Sequence, residues 1–280
     1  MSDRAAFLEV RPLVIAALHL PPFQSSLNPK AQPVPGITDY ALRNAEKAAR
    51  AGVRALYIQD LGDYPWAPTI QPQTVAVLSV VAAALRYEFP DLILGVCTMS
   101  HGAREPLAIA QASGAHFVRL KVYIGAMVKA EGVIEGNAHE AISYRSQIGG
   151  EEIAILADVY DRTGVPLGGP ALKDAATQAA VFGRADGLIL TGSSFDESLE
   201  MLSEVKSLNL SVPLLLGGGA SVDNIPGALG IADGAIVSST FKPKGGWTHA
   251  GIAEDWDEGQ IKAFMEAVER TSTAKGNGSY

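Results

Sequence analysis

Residues 214–221 read Leu214-Leu215-Leu216-Gly217-Gly218-Gly219-Ala220-Ser221, an aliphatic run that breaks into three glycines and ends on a hydroxyl. A second run follows closely, Ala232-Asp233-Gly234-Ala235-Ile236-Val237-Ser238-Ser239-Thr240, again apolar and then hydroxylated, with Lys242 just beyond. Aliphatic runs without polar alternation suit strands of a parallel sheet, which are buried on both faces. Glycines at a strand end let backbone N–H groups come close to an anion, and a helix starting at Ser221 would add a favourable dipole. In a (β/α)₈ barrel the loops after the last two strands commonly hold a phosphate. Gly217, Gly218, Gly219, Ser238 and Ser239 are therefore the candidate phosphate-binding residues.

Working outward from this pair, eight apolar runs occupy residues 13–20, 55–60, 92–98, 117–122, 153–159, 187–191, 212–217 and 234–238. Helical patterns alternate with them at 38–51, 72–89, 103–113, 137–148, 171–182, 198–207, 222–229 and 257–273. Gly52, Gly114 and Gly183 each stand where a helix would end in a left-handed residue. Eight strand–helix pairs joined by right-handed crossovers predict a (β/α)₈ TIM barrel, one domain over residues 1–280 with a frayed tail at 274–280. An open doubly wound sheet is the alternative, weakened because no Gly-x-Gly-x-x-Gly follows the first run. Two connections are long: residues 21–37, with Pro21, Pro22, Pro29, Pro33 and Pro35, and the glycine-rich 123–136. Both are expected on the C-terminal face, where substrate lids usually sit.

The formal charge of −8 argues against nonspecific binding to nucleic acid or an anionic membrane, so an anionic ligand must be met by local donors. The 48% hydrophobic content, with 19% charged residues, fits a folded domain with one large core. The single cysteine, Cys97, excludes an intrachain disulfide and a cysteine-based zinc cluster, and its place inside a strand reads as core packing. The opening residues lack the basic-then-apolar order of a signal peptide, and no apolar stretch is long enough to span a bilayer. The cytoplasm is thus the expected compartment and no membrane insertion is expected. Trp66 and Trp247 fall in loops, where they suit a subunit interface or a cover over ligand, and a homo-oligomer is expected.

In a barrel the chemistry gathers at the C-terminal strand ends. These positions hold His19, Asp60, His101, Lys121, Asp158 and Thr191, with Asp161 and Arg162 just past the fifth run. Alternation puts Phe117, Arg119 and Lys121 on one face and Val118, Leu120 and Val122 on the other. The apolar set suits the helix-covered outside, so Arg119 and Lys121 should face the interior, with Asp158 and Asp60 as counter-charges. A structural ion-pair network is the alternative role for Arg119. Lys121 is a base or amine nucleophile if Arg119 depresses its pKa, and a charged oxygen-binding group if aspartates flank it. His19 suits general acid–base work, and His101 and Thr191 suit substrate contact. No cofactor is required by these residues, and a divalent metal on Asp60, Asp158 or His19 stays open.

The same stretches resemble the BtpA/SgcQ family, a group of ribulose-phosphate-binding barrels. The match rests on Leu18-His19-Leu20-Pro21, Gly62-Asp63-Tyr64-Pro65, Phe117-Val118-Arg119, Gly132-Val133-Ile134-Glu135-Gly136, Ile155-Leu156-Ala157-Asp158-Val159 and Ala185-Asp186-Gly187-Leu188-Ile189-Leu190-Thr191-Gly192. The two runs quoted first close the series. Glu135 joins the substrate-contact candidates through this resemblance. Relatives commonly carry Asn where this chain has Lys121, Arg-Asn-Asp where it has Met99-Ser100-His101, His at Tyr160 and Lys-His at Asp161-Arg162, so this chain resembles a divergent branch. The resemblance implies either an enzyme on a small phosphorylated sugar or nucleoside-like compound (isomerase, lyase or glycosidic hydrolase), or an assembly factor of the photosystem I biogenesis type. For the enzyme, Lys121 and Asp158 would move protons or stabilise an oxyanion beside Arg119, with His19 and Asp60 assisting.

Overall fold

The computed structural model of the protein describes residues 3–23, 27–243 and 249–276. Its elements follow the expected alternation: β1 (Leu13–His19), α1 (Val34–Arg50), β2 (Ala55–Gln59), α2 (Pro72–Glu88), β3 (Ile93–Cys97), α3 (Arg104–Ser113) and β4 (Phe117–Leu120). A hairpin, β5 (Ala126–Lys129) and β6 (Gly132–Glu135), precedes α4 (Ala138–Gln147) and β7 (Ala154–Asp158). Then come β8 (Val165–Pro166), α5 (Leu172–Thr177), β9 (Gly187–Leu190), α6 (Phe195–Lys206), β10 (Leu214–Leu216), α7 (Ile225–Leu229), β11 (Gly234–Val237), α8 (His249–Ile252) and α9 (Glu258–Gly276). Eight strands close a parallel barrel in the order β1-β11-β10-β9-β7-β4-β3-β2, which confirms the (β/α)₈ class. No helix among the described residues is long and apolar enough to cross a membrane.

Alternation along the strands sorts side chains into two apolar layers. Inside the barrel Leu13, Ile15, Ala17, Tyr57, Cys97, Phe117, Leu156, Ile189, Leu215 and Ile236 form one cluster. Their sequence neighbours Val14, Ala16, Leu18, Val118, Leu120, Ile155, Leu188 and Leu214 join the layer beneath the helices. Phe117 inside and Val118 outside bear out the parity expected of β4. Residues Asp3–Glu9 form a 3₁₀ turn whose Phe7 and Leu8 enter the inner cluster, Phe7 lying 5.6 Å from the Phe117 ring. The bottom of the barrel is therefore plugged by apolar side chains, and open space remains at the top.

Several boundaries differ from the expected ones for physical reasons. α1 starts at Val34 rather than 38, because Pro35 is tolerated in the first turn, where its missing N–H would have no helical partner. Gly52 and Gly114 take φ of +90° and +72° as helix-ending residues, whereas Gly183 has φ −75°. Gly183 is instead needed for close approach: an added Cβ would meet the Tyr123 ring, whose hydroxyl donates to the Gly183 carbonyl. The 123–136 connection, expected as a long glycine-rich loop, forms two strands of an antiparallel sheet, β6-β5-β8. Its inner face packs Met127 and Ile134 on Val122, so Val122 belongs to this small cluster rather than to the helix layer. The 21–37 connection is tied down at the neighbouring turn, with Phe23 N–H donating to Asp63 Oδ1 at 3.1 Å and Gln32 N–H to Pro22 O at 2.8 Å. α9 continues to Gly276, into the stretch expected to fray.

Candidate active site

A cavity of about 230 Å³ opens at the C-terminal ends of the barrel strands, floored by Ala17, Tyr57, Gln59 and Ile236. One wall is made by the segments after β10 and β11, where Gly217, Gly218, Gly219, Ala220, Ser238 and Ser239 line it. Gly217 still belongs to the barrel, its N–H donating to Leu190 O at 2.9 Å. A Cβ on Gly217 would fall on Thr191 Oγ1, so no other residue fits there. Gly219 turns the chain with φ +78°, and the amides of Gly218 and Gly219 have no partner among the described residues. The helix expected from Ser221 is shorter than the sequence suggests. Ser221 and Asn224 cap each other (Ser221 N–H to Asn224 Oδ1, 2.7 Å; Asn224 N–H to Ser221 Oγ, 3.3 Å), and α7 begins only at Ile225. Five residues carry little of the expected dipole, so any anion here is met by turn amides and hydroxyls.

The opposite wall carries charge. Arg119 grips Asp158 with two bonds, Nε to Oδ2 at 3.0 Å and Nη2 to Oδ1 at 2.9 Å, while Nη1 donates to the Tyr57 hydroxyl at 2.6 Å. Burial opposes the guanidinium charge, but Asp158 more than compensates and holds the proton above the usual arginine range. Asp158 is thus the counter-charge of Arg119, as expected. Lys121 behaves differently: Nζ donates to Met99 O at 2.6 Å and touches Met99 Sδ at 3.6 Å. Burial, then the nearby Lys129 charge, pull its pKa below the usual lysine value.

Asp60 is not the partner of Lys121. It lies outside the cavity, where Oδ1 accepts the Met99 N–H at 2.7 Å, so one carboxylate fixes the residue whose carbonyl accepts from the amine. Burial raises the Asp60 pKa to about 6.

Two residues that the sequence places just past the fifth run, without an assigned role, complete this wall. Asp161 pairs with Lys129 of β5 at 2.6 Å, both nearly inaccessible. Burial alone would raise the Asp161 pKa, but Lys121 and Lys129 bring it to about 2. Arg162 lines the cavity next to the glycine wall; a Cβ on Gly218 would lie 3.8 Å from its Nη1. Three lining cations, Arg119, Lys121 and Arg162, thus face two carboxylates, one already engaged by Lys129 from outside. The position of Arg162 just past a strand end was the available sequence signal. Its reach across to Gly218 depends on a loop that the sequence does not describe.

Thr191 lines the cavity with its hydroxyl buried and without a hydrogen-bond partner among the described residues. His19 also lines it, with Nδ1 3.2 Å from Ser238 Oγ, and burial followed by Lys242 and Arg119 depresses its pKa. His101 falls outside this cavity, in a narrow neighbouring crevice with Ser100 and Lys129, and its backbone bridges to Thr69. Glu135 is exposed on the edge strand β6 and lines neither space. Lys242 turns away from the glycine wall and donates to Gly251 O and Ile252 O, each at 2.7 Å. Cys97 sits in the inner core with its thiol pKa pushed by burial to about 12. Trp66 is half-buried against Leu61, Met99 and Ile252, and Trp247 lies outside the described residues. Among the described residues, no three His, Cys, Asp or Glu side chains converge as a metal site requires.

The model of the BtpA family matches residues 10–270. The chain belongs to the BtpA family. Photosystem I biogenesis protein BtpA of Synechocystis is 32% identical, over 91% of this chain and 87% of its own. A Thermococcus kodakarensis protein is 32% identical over 85% of this chain and 89% of its own. Among solved structures, KGPDC from Streptococcus mutans is similar at TM-score 0.55 and 16% identity, covering 94% of this chain and 100% of that one. Thiamine phosphate pyrophosphorylase from Pyrococcus furiosus is similar at TM-score 0.56 and 16% identity, covering 96% and 99%. At such identity these structures support the barrel fold alone, and the family assignment rests on the sequence matches.

Proposed function

We propose that this BtpA-family barrel is an enzyme acting on a small phosphorylated sugar or nucleoside-like compound, by isomerisation, carbon–carbon cleavage or glycosidic hydrolysis. The observation that carries the proposal is the facing of two unlike walls across one cavity. Turn amides without a partner among the described residues and serine hydroxyls stand on one side, Arg119, Lys121, Asp158 and Asp161 stand on the other, and Arg162 beside the glycines gives the cavity three cations to two carboxylates, in a protein of net charge −8. Phosphate would rest on the Gly218 and Gly219 amides and the Ser238 and Ser239 hydroxyls, with Arg162 alongside. The rest of the ligand would then reach toward Arg119, Asp158 and Lys121, where charge developing on an oxygen would be stabilised. Neutral His19 orients the Ser238 hydroxyl. A cavity of 230 Å³ is smaller than the roughly 300 Å³ at which drug-sized pockets begin, which favours a sugar phosphate over a full nucleotide. Thermal-shift measurement of paired probes tests this: sugar phosphates should raise the midpoint and their unphosphorylated counterparts should not. Equal responses, or none, would remove the basis for the proposal.

A second reading, a non-catalytic assembly factor, is supported by the name of the Synechocystis relative and by one surface feature. Val133, Val128 and Val165 pair across the three strands of the small sheet and are all exposed. A partner that binds the wild type and a Lys121→Ala, Asp158→Asn double variant equally, and a Val128→Ser, Val133→Ser variant poorly, would favour it.

A further inference from the structure

From the surroundings of Lys121 we infer that the substrate is a phosphorylated carbonyl compound, an aldehyde or ketone in open-chain form, and that Lys121 Nζ forms an imine with its carbonyl carbon. This rests on the phosphate-binding reading given above.

Arg119, Lys121, Lys129 and Lys242 are recessed around the upper barrel, and three of these cations are fully engaged. Arg119 has both carboxylate oxygens of Asp158 and the Tyr57 hydroxyl, Lys129 has Asp161, and Lys242 has two helix-end carbonyls. Lys121 has no carboxylate within ion-pair distance among the described residues. Its one strong partner is a neutral carbonyl, Met99 O, which accepts an N–H whether the amine is charged or neutral. A cation retained in a recess without a counter-ion is costly, and a neutral amine there is not. The nearby charges act in both directions, Lys129 against the ammonium and Asp161 and Asp60 for it, with burial the largest influence.

The amine is also held in place. Asp60 clamps the Met99 N–H while the same residue's carbonyl accepts a hydrogen bond from Lys121, so Nζ hangs from a fixed residue at the cavity wall. One N–H is directed at Met99 O and a second at Met99 Sδ, 3.6 Å away, and what remains of the nitrogen, its lone pair when neutral, is left for the cavity. A desolvated amine beside another cation is the arrangement that makes lysine a nucleophile. The step balances without a co-reactant. The lone pair of the neutral Nζ bonds to the carbonyl carbon, the C–O bond breaks, the oxygen leaves as water with the two amine protons, and the imine nitrogen takes one proton from solvent to become the iminium. The iminium then withdraws electrons from the neighbouring carbon, as isomerisation or carbon–carbon cleavage requires. Glycosidic hydrolysis has no use for it.

The full chain is incubated with dihydroxyacetone phosphate or D-ribose 5-phosphate, reduced with sodium borohydride and mapped by peptide mass spectrometry. Binding of inorganic phosphate and of both probes is measured in parallel by calorimetry. The expected result is a stable adduct on Lys121 that falls by at least about tenfold when the probe lacks phosphate, since remote binding energy positions the carbonyl. Lys121→Arg should abolish the adduct and keep phosphate binding, and Lys121→Gln serves if the arginine variant does not fold. Phosphate bound with no adduct, or an adduct on another lysine, overturns the imine and leaves the phosphate reading standing. No binding of phosphate or of either probe overturns both.

Discussion

The two walls of the cavity are made of different material. After β10 and β11 the chain presents backbone: glycines with free amides, two serine hydroxyls, and no charge of its own. After β4 and β7 it presents charged side chains locked to one another and to the floor. A backbone wall reads shape and accepts an anion with little reorganisation. A charged wall can change protonation and take part in bond making. Each wall is therefore open to a different kind of perturbation, and the contrast between them can be broken or sharpened by substitution.

The largest effect is expected from Asp158→Ala, which leaves Arg119 buried and unpaired; breaking such a pair typically costs about 3–5 kcal/mol, measurable by urea unfolding. Next is Gly217→Ala on the other wall. A Cβ there collides with Thr191, and overpacking should cost about 1–3 kcal/mol and abolish phosphate binding together with the fold's local geometry. The Asp161–Lys129 pair predicts a pH effect of similar size. The Asp161 carboxyl titrates near 2, below its unfolded value, so its stabilisation is present above about pH 4 and is lost as pH falls toward 2. Asp161→Asn should flatten that acid limb of the stability curve by about 2 kcal/mol, and an unchanged limb would mean that the pair contributes nothing. Arg162→Ala should weaken phosphate binding by about tenfold and leave the melting temperature in place. The smallest change is Thr191→Val: stability should shift by less than about 1 kcal/mol, because the buried hydroxyl has no partner among the described residues to lose, while ligand affinity falls. A Thr191 variant with unaltered affinity would remove that hydroxyl from the site.

The barrel was legible because its determinants are local. Uninterrupted apolar runs require cover on both faces, and every such run became a barrel strand within about two residues of its expected ends. The glycine wall was legible for the same reason, since glycine, serine and the strand end that precedes them are neighbours in sequence. The charged wall was read only in part. Parity placed Arg119 inward, but the choice of Asp158 rather than Asp60 as a partner to the cations depends on the register of β4 against β7 and on the turn after β3. The small sheet was missed although two short, largely apolar segments, Ala126–Lys129 and Gly132–Glu135, flank a two-residue turn. Glycine content marked only a long loop on the C-terminal face there, and only pairing with β8, far along the chain, gives the hairpin a third strand. Burying Lys129 and Asp161 together is a consequence of that sheet, so both were beyond reach of local pattern.

The central claim is that the backbone wall receives a phosphate. Titrating the ¹⁵N-labelled protein with inorganic phosphate and following the amide resonances of Gly218 and Gly219 tests it most directly. Saturable downfield shifts of those two amides, with Gly217 little affected because its N–H stays on Leu190, are the predicted result. Shifts confined to surface lysine neighbours, with Gly218 and Gly219 unmoved at saturating phosphate, would contradict the account.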